Sequence, residues 1–463
     1  MRILGINCLN HDAAMAVVDG KEIMWAAHAE RYSKIKNDQF LNWPIVNEAM
    51  KYGPFNRVVY YEKPWLKKLR QLRAGQYGYA FDMKELPSRY LKQFGIKIDE
   101  YVSHHHSHMA GGYYTAPFKD ADILTIDAIG EFETITLWNN EKKIKSWSYP
   151  YSLGLLYSAI TQRIGLKPNE EEYITMGMAA YGKPRYSEAI RRLLLNENNH
   201  KGVGTFAPHA DNMDLAASVQ EVYEEELIKL VKKYCKKDKL ILSGGCALNC
   251  VANSLIDKEI WIMPNPGDSG SALGCIPAYT QQHLNWQGPF LGQDIAGEYP
   301  VDKIIKELET NKIVGVANGR AEFGPRALGN RSLLADPRGD DIKDKVNAIK
   351  KRQKFRPFAP AILLEDVHDY FEMSQETSPY MQFTGVCKYP KEFPAIVHVN
   401  GESRVQTVTK EDNEGFYNLL KTWKEKTGCP MLLNTSLNIK GKPMVNNETD
   451  AEIFARKYNV KVV

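Results

Sequence analysis

With 463 residues, 43% hydrophobic and 25% charged side chains and a net charge of +4, the chain has the make-up of a globular protein of two or three domains. No apolar run approaches the roughly 18 residues of a membrane span, so a membrane partner is excluded, and the first residues read as a strand and turn, not a signal peptide. Seven cysteines with no C-x-x-C pair exclude a disulfide scaffold and fit reduced thiols in a cytoplasmic protein.

Residues 2–7 read as a strand, 13–18 as a second, and 21–28 as a third, with His11 and Asp12 in the first turn. The pattern recurs at 121–127, 133–138 and 142–147, where Asn139-Asn140 signals a hairpin. Such a duplication, three antiparallel strands followed by helices, is the layout of ribonuclease-H-like two-lobed ATP-binding folds. Residues 152–164, 186–195 and 215–234 carry helical spacing, and 239–243 a buried strand entering Gly244-Gly245. Residues 285–299, rich in glycine and proline without a period, read as the linker. A helix at 304–308 and a strand at 313–317 follow, then a basic, motif-dense region.

Four constellations carry chemistry. Residues 101–118, YVSHHHSHMAGGYYTAPF, hold four of the eleven histidines. His104 and His108 stand at i, i+4, which on a helix puts both imidazoles on one face, able to share a metal ion. A solvated histidine run is the plainer alternative. Asp127 ends the strand LTID, and Asp268 sits in a glycine turn before an apolar helix, each placed to add a carboxylate; either one alone reads as a turn or cap residue. The second constellation is glycine-rich. LSGGCALN, with Gly244, Gly245 and Asn249, joins a strand to a helix start, and Gly267 and Gly270 form a similar loop. Both let backbone N–H groups approach a phosphate, and both are also what helix–strand packing would select.

The third is a file of cations: Arg320, Arg326, Arg331, Lys350, Arg352, Arg356 and Arg404, with Asn434 and Ser436 after them. They are embedded in FGPRALG, FRPFAP and RVQTV, which expects them partly buried, and a buried guanidinium wants an anion. The fourth is residues 63–97, with nine basic residues against two acids, a local charge of +7, and interleaved Trp65, Tyr77, Tyr79, Phe81, Tyr90 and Phe94. Basic side chains track phosphates and aromatics stack bases, so Lys67, Lys68, Arg70 and Arg73 are candidates for a nucleic-acid surface. A pair of amphipathic helices with a solvated basic face is the alternative.

Taken together, NHDAAMAVVDG, HHHSHMAGGYYTAPF, TMGMAAYG, LSGGCALN, GDSGSALG, EFGPRALGNRSLLADPR, KFRPFAPAIL, SPYM, VHVNGESRVQTV and LLNTSLNIKGKPMV resemble the O-carbamoyltransferases of nodulation-factor and antibiotic biosynthesis, in order over nearly the whole chain. The resemblance implies an α/β and α+β protein. Residues 1–298 would form a metal-bearing actin-like carbamoyl-transfer domain, similar to the proteins that transfer threonylcarbamoyl to tRNA. Residues 299–463 would form a twisted-sheet domain similar to threonylcarbamoyl-adenylate synthases. It further implies that carbamoyl phosphate and ATP with Mg2+ give carbamoyl-adenylate, whose carbamoyl group passes to an acceptor hydroxyl. By position, His104, His108, Asp127 and Asp268 match ligands of Fe2+, with Mn2+ or Zn2+ as other divalent ions suited to such a set. His11, beside Asp12, matches the base for the acceptor. Arg326, Lys350, Arg356, Arg404, Asn434 and Ser436 match the carbamoyl-phosphate and ATP end. Expected partners are these substrates, a hydroxylated acceptor such as a hydroxymethylpyrimidine in DNA or a sugar or other small metabolite, and a second copy in a homodimer. A non-transferring ATP-binding regulator of the actin-like fold is the reading from another class. The chain departs from the family pattern at Ala128, Ile174, Gln353 and Asn400, and is shorter between Gly182 and Lys239, where a reduced lid would admit a bulkier acceptor.

Overall fold

The computed structural model describes residues 1–353 and 355–463. Lys354, in the basic run, and the Glu85 side chain lie outside the described residues. Met1–Ala29 with Asn37–Trp286 form one compact unit, and Glu30–Lys36 with Gln287–Val463 the other.

In the first unit β1 (Arg2–Asn7), β2 (Ala14–Asp19) and β3 (Glu22–His28) form an antiparallel meander. β4 (Arg57–Tyr60) and β5 (Glu100–Tyr101) add in parallel on the far side of β1, giving the order β3-β2-β1-β4-β5. The design then repeats. β6 (Asp122–Gly130), β7 (Glu133–Asn139) and β8 (Lys142–Ser148) form the meander, and β9 (Lys239–Ser243) and β10 (Glu259–Trp261) lie parallel beside β6, in the order β10-β9-β6-β7-β8. Each lobe thus runs 3-2-1-4-5 from the third meander strand, which is the duplicated ribonuclease-H-like lobe of the actin-like ATPase fold.

Burial explains the strand sequences. β1 and the ILTID portion of β6 are central and covered on both faces, so they read as nearly continuous apolar runs. β8, KKIKSWS, is an edge strand whose lysines blunt it against pairing with another chain. The long helix Asn212–Tyr234 starts at Asp211, whose carboxylate accepts the Met213 N–H at 2.7 Å. The segment read as a helix at 186–195 is shorter: Ser187–Arg191 is α-helical and Arg192–Leu195 tightens into a 3-10 turn. The segment at 63–97 holds α-helices but is more broken than a simple helix pair. It breaks at glycines, prolines and Asp82 into Pro64–Arg73, Tyr77–Phe81 and shorter turns.

In the second unit the residues read as linker include β11 (Phe290–Ile295), which is antiparallel to β13 (Gly319–Glu322). Pairing with a later strand gave no local periodic signal. The main sheet has seven strands in the order β12-β14-β19-β15-β18-β17-β16. These are β12 (Ile313–Ala317), β14 (Arg331–Ala335), β15 (Ala359–Leu363), β16 (Phe371–Met373), β17 (Phe383–Cys387), β18 (Glu402–Val408) and β19 (Met431–Ser436). The helices Val301–Asn311, Glu414–Thr427 and Glu448–Tyr458 bury Leu308, Trp423 and Phe454 in its core.

Candidate metal centre and anion-binding face

His104–Tyr113 is a helix, so the i, i+4 spacing brings His104 and His108 to one face. The other two histidines of the run turn away: His105 Nδ1 lies 3.1 Å from Thr136 Oγ1, and the His106 ring stacks on Trp138. Asp127, on β6, and Asp268, in the 3-10 turn Asp268–Gly270, complete a cluster whose four ligand atoms all lie within 4.8 Å of one another. His104 Nε2 is 2.9 Å from Asp127 Oδ2, 3.0 Å from His108 Nε2 and 3.5 Å from Asp268 Oδ1. His108 Nε2 is 3.3 Å from Asp268 Oδ1 and 3.6 Å from Asp127 Oδ2. Atoms about 2.1 Å from a common ion stand about 3.0 Å apart at right angles and about 3.4 Å apart in a tetrahedron. The observed spacings bracket those values, so the donor set fits a divalent ion with two imidazoles and two carboxylates.

The electrostatics agree. Burial alone would keep both imidazoles neutral, yet Asp268, Asp127 and Glu62 raise His104 well above its ordinary value, and Asp127 and Asp268 raise His108. Asp127 is held well below the carboxylate range by the two imidazoles, against the opposing effect of burial. With both imidazoles neutral, the two carboxylates leave a negative charge that a cation would offset. Both histidines also have a group behind them. Glu62 Oε2 is 3.9 Å from His104 Nδ1, and Ser271 Oγ is 3.3 Å from His108 Nδ1. Ser271 is within hydrogen-bond reach of the outer nitrogen of His108, while Glu62 stands beyond that reach behind His104, on the side from which a partner orients a metal-ligating imidazole. Gly130 seats the ring: a Cβ there would stand 2.2 Å from His104 Cδ2.

The His11 turn adjoins this cluster. Asn7 Nδ2 donates to the carbonyls of Asp268 at 2.8 Å and Asp12 at 3.1 Å, and Asn10 Nδ2 donates to Asp268 Oδ2 at 3.1 Å. His11 Nδ1 faces Asp12 Oδ2 at 3.1 Å, while Nε2 is buried with no hydrogen-bond partner. Burial works against its charged form, but Asp12 first, then Asp268 and Glu170, push His11 up to about 9. The glycine loops meet beside Asp127: a Cβ on Gly245 would lie 3.2 Å from Asp127 Oδ1, and one on Gly267 3.7 Å from Gly245 Cα. Gly244 enters its loop at φ +86°, and Gly270 closes the Asp268 turn. Asn249 is engaged locally, capping Ala252 N and pairing both ways with Gln220.

In the second unit one sheet face gathers the polar residues. Arg404 and Gln406 alternate on β18, and Asn434 and Ser436 on β19, so each pair points the same way. Asn434 Nδ2 donates to Gln406 Oε1 at 2.7 Å and to the Ala327 carbonyl at 3.1 Å, and Gln406 Nε2 donates to the Leu328 carbonyl at 3.2 Å. The loop that carries Arg326 therefore lies over this face. Lys350 reaches Ser436 Oγ at 3.0 Å and Asn438 Oδ1 at 2.7 Å. Burial, then the charges of Arg352 and Arg356, hold its ammonium well below the usual lysine range. An anion bound beside it would favour its charged form. Arg331, by contrast, is fully buried and donates to the carbonyls of Gln293, Asn318, Gly319, Asn330 and Asn446, which makes it a structural strut.

The cations at 63–97 divide. Lys67 donates to Glu62 Oε1 at 2.9 Å, behind His104, and Lys68 to the carbonyls of Tyr79 at 3.0 Å and Asp82 at 2.7 Å. Arg70 is held in a buried setting that lowers its pKa, while Arg73 is exposed. Sequence reading missed Glu62 and Gln406, which lie in the unremarkable stretches YYEKP and VQTV, and whose roles are set by elements from elsewhere in the chain.

All seven cysteines are free, and no helix among the described residues is long and apolar enough to cross a membrane. The Carbamoyltransferase N-terminus model matches residues 60–205 and 196–276, and the Carbamoyltransferase C-terminus model residues 305–463. An uncharacterized Synechocystis sp. protein, sll1178, is 32% identical over 97% of this chain and 93% of its own. The nodulation protein NolNO of Sinorhizobium fredii is 31% identical over 96% of this chain and 76% of its own. The 3'-hydroxymethylcephem-O-carbamoyltransferase of Amycolatopsis lactamdurans is 26% identical over 97% and 95%. Two matched models covering most of the chain, and relatives aligned along nearly its whole length, make this chain a carbamoyltransferase-family enzyme.

Proposed function

We propose that the protein is an ATP-dependent O-carbamoyltransferase working through carbamoyl-adenylate. The observation that carries the reading is the pairing of a four-ligand cluster next to His11 in the first unit with a cationic sheet face in the second. In the second unit, water cleaves carbamoyl phosphate to carbamate and phosphate. A carbamate oxygen then attacks the α-phosphorus of ATP, and pyrophosphate leaves. Arg326, Lys350, Arg356 and Arg404 neutralise the phosphates, and Asn434 and Ser436 orient the carbamate. In the first unit the acceptor hydroxyl attacks the carbamoyl carbon, its proton goes to His11 Nε2, and AMP leaves. His104, His108, Asp127 and Asp268 would hold a divalent ion, Fe2+ by family resemblance, that supplies Lewis-acid polarisation. His11 can accept a proton only when neutral; Asp12 first, then Asp268, favour its charged form, and a cation held by Asp268 would offset the smaller of these two effects. The Gly244-Gly245 and Gly267–Gly270 loops flank the leaving nucleotide.

The acceptor we favour is a hydroxymethylpyrimidine in DNA. Trp65, Tyr77, Tyr79 and Phe81 are 54–70% exposed, an unusual share for side chains of that size, and Arg73, Lys84 and Arg89 stand among them. The cephem relative, whose name specifies a hydroxymethyl acceptor, supports the class of hydroxyl. A small hydroxylated metabolite is the second reading, favoured by the inward bonds of Lys67 and Lys68. The test is mass spectrometry of hydroxymethylated DNA and of free nucleosides and sugars after incubation with enzyme, ATP and carbamoyl phosphate. A 43-Da gain replacing a hydroxyl proton, about the mass of a carbamoyl group less one hydrogen, with AMP and pyrophosphate as co-products, is the result expected from the chemistry. ADP as the nucleotide product with no modified acceptor would instead mark an ATP-binding regulator.

A further inference from the structure

After β3 the chain leaves the first unit for seven residues. Glu30–Lys36 belongs to the second unit, and the chain returns at Asn37. Inside that detour the short helix Glu30–Ser33 buries Arg31, 2% exposed, an unusual position for a guanidinium. Arg31 Nη2 donates to the carbonyls of Glu322 at 3.3 Å and Gly324 at 3.1 Å. Its Nε and Nη1 are buried with no hydrogen-bond partner, Nε lying 4.0 Å from Glu30 Oε1. Glu30 is itself fixed by Lys36 Nζ at 2.8 Å.

The two carbonyls that Arg31 grips begin the Phe323–Asn330 stretch, which carries Arg326. The far end of the same stretch is gripped by Glu322, whose Oε1 accepts the N–H groups of Leu328 at 2.8 Å, Asn330 at 3.0 Å and Arg331 at 3.1 Å. A second tie runs from the detour to the loop's exit. Lys34 Nζ pairs with Asp450, Asp450 accepts Asn446 N, and the Asn446 carbonyl accepts from Arg331. A buried, charged fork with spare donors is an expensive device for packing alone, since a methionine would fill the space without a desolvation cost.

We propose that Arg31 is a positioning residue for carbamoyl-adenylate formation: by holding the carbonyls of Glu322 and Gly324 it sets the loop that presents Arg326 to the anionic substrate. This rests on the reading of the second unit as the adenylate-forming one. Arg31 itself touches loop backbone, not substrate. The seven-residue detour then has a use, since it brings to the second unit a residue that holds that unit's loop.

The test uses the full chain with Arg31→Ala and Arg31→Lys, and Arg326→Ala for comparison. A loop displaced by about 1 Å costs about 100-fold, so Arg31→Ala should lower pyrophosphate release about 10- to 100-fold, chiefly through KM for carbamoyl phosphate. Added guanidinium should restore part of the loss, which a purely structural defect would not allow. Transfer from supplied carbamoyl-adenylate, and bound metal, should stay within about twofold of the parent, as suits a residue remote in role from transfer. Amide exchange at Leu328, Asn330 and Arg331 should quicken in Arg31→Ala whatever the reaction proves to be. If Arg31→Ala does not fold, Arg31→Lys decides: unchanged pyrophosphate release and unchanged exchange overturn the proposal. A parent enzyme that forms ADP instead of pyrophosphate would sink the adenylate reading while leaving the exchange measurement to judge Arg31.

Discussion

Glu62 ties two features that the sequence keeps apart, the histidine run and the basic segment. Lys67 and the His104 imidazole hold its buried carboxylate down to about 2, although burial pushes the other way. A carboxylate behind a ligating imidazole fixes the ring and raises its basicity, and removing such a partner weakens metal binding about 10- to 100-fold. Glu62→Gln should show that loss in a metal titration, and Lys67→Met a smaller one; His108→Ala should bind no stoichiometric metal at all. Full affinity in Glu62→Gln would show that the 3.9 Å approach to His104 has no orienting effect. The pH dependence has a definite sign. His104 and His108 have raised pKa values, so a metal ion binding them would have to displace protons. Affinity should rise with pH through the range where these imidazoles titrate, and calorimetry in buffers of different ionisation enthalpy should detect proton release.

At the scale of elements, the helix His104–Tyr113 and strand β6 must approach closely for His104 to meet Asp127. Gly130 permits this, and Gly130→Ala would drive a methyl group into the imidazole. Overpacking of this kind costs about 1–3 kcal/mol. The variant should melt earlier by that amount and hold its metal loosely; an unshifted melting curve with full metal content would contradict it. On the second unit's sheet face, Lys350 is buried with its pKa pulled down by burial and by Arg352 and Arg356. An anion favours the charged form, so binding of carbamoyl phosphate should take up a proton, the opposite sign to metal binding in the first unit. Lys350→Met should abolish the uptake. Uptake that survives the substitution would assign the proton to another group.

For the whole molecule, the question is the acceptor. Basic residues that looked like one surface separate into two sets. Lys67, Lys68 and Arg70 serve internal partners or sit in buried settings, while Arg73, Lys84, Arg89, Lys92 and Lys97 remain exposed. Charge reversal at Lys67 would disturb the metal centre through Glu62 and so cannot report on DNA alone. The discriminating variants are Arg73→Glu and Lys84→Glu, with Tyr77→Ala and Tyr79→Ala for stacking. Base–aromatic stacking contributes about 1–3 kcal/mol per base, and phosphate contacts make affinity fall steeply with salt. DNA binding at about 50 mM salt, weakened by both sets of variants while pyrophosphate release is unchanged, is expected if DNA is the acceptor. Absence of binding, with carbamoylation of a free nucleoside or sugar, would assign the exposed aromatics another role.

Local sequence alone determined much here. Alternation and turn residues located the strands of the two meanders within a residue or two, except that β6 runs three residues past its expected end to Gly130, and the repetition of that pattern revealed the duplicated fold, because antiparallel neighbours in a meander are also neighbours in sequence. The i, i+4 histidines announced a shared face for the same reason: a helix is a local structure. What only tertiary structure decided involves partners far apart in the chain. β11 pairs with β13 across 24 residues or more and leaves no period to read, so its segment looked like a linker. Glu62 lies 42 residues before His104, and Arg31 some 290 before the loop it holds. Their side-chain types announce only charge. Whether a charge faces water, a metal ligand or a distant carbonyl depends on which strands the fold lays side by side, and that is fixed by the packing of the complete core.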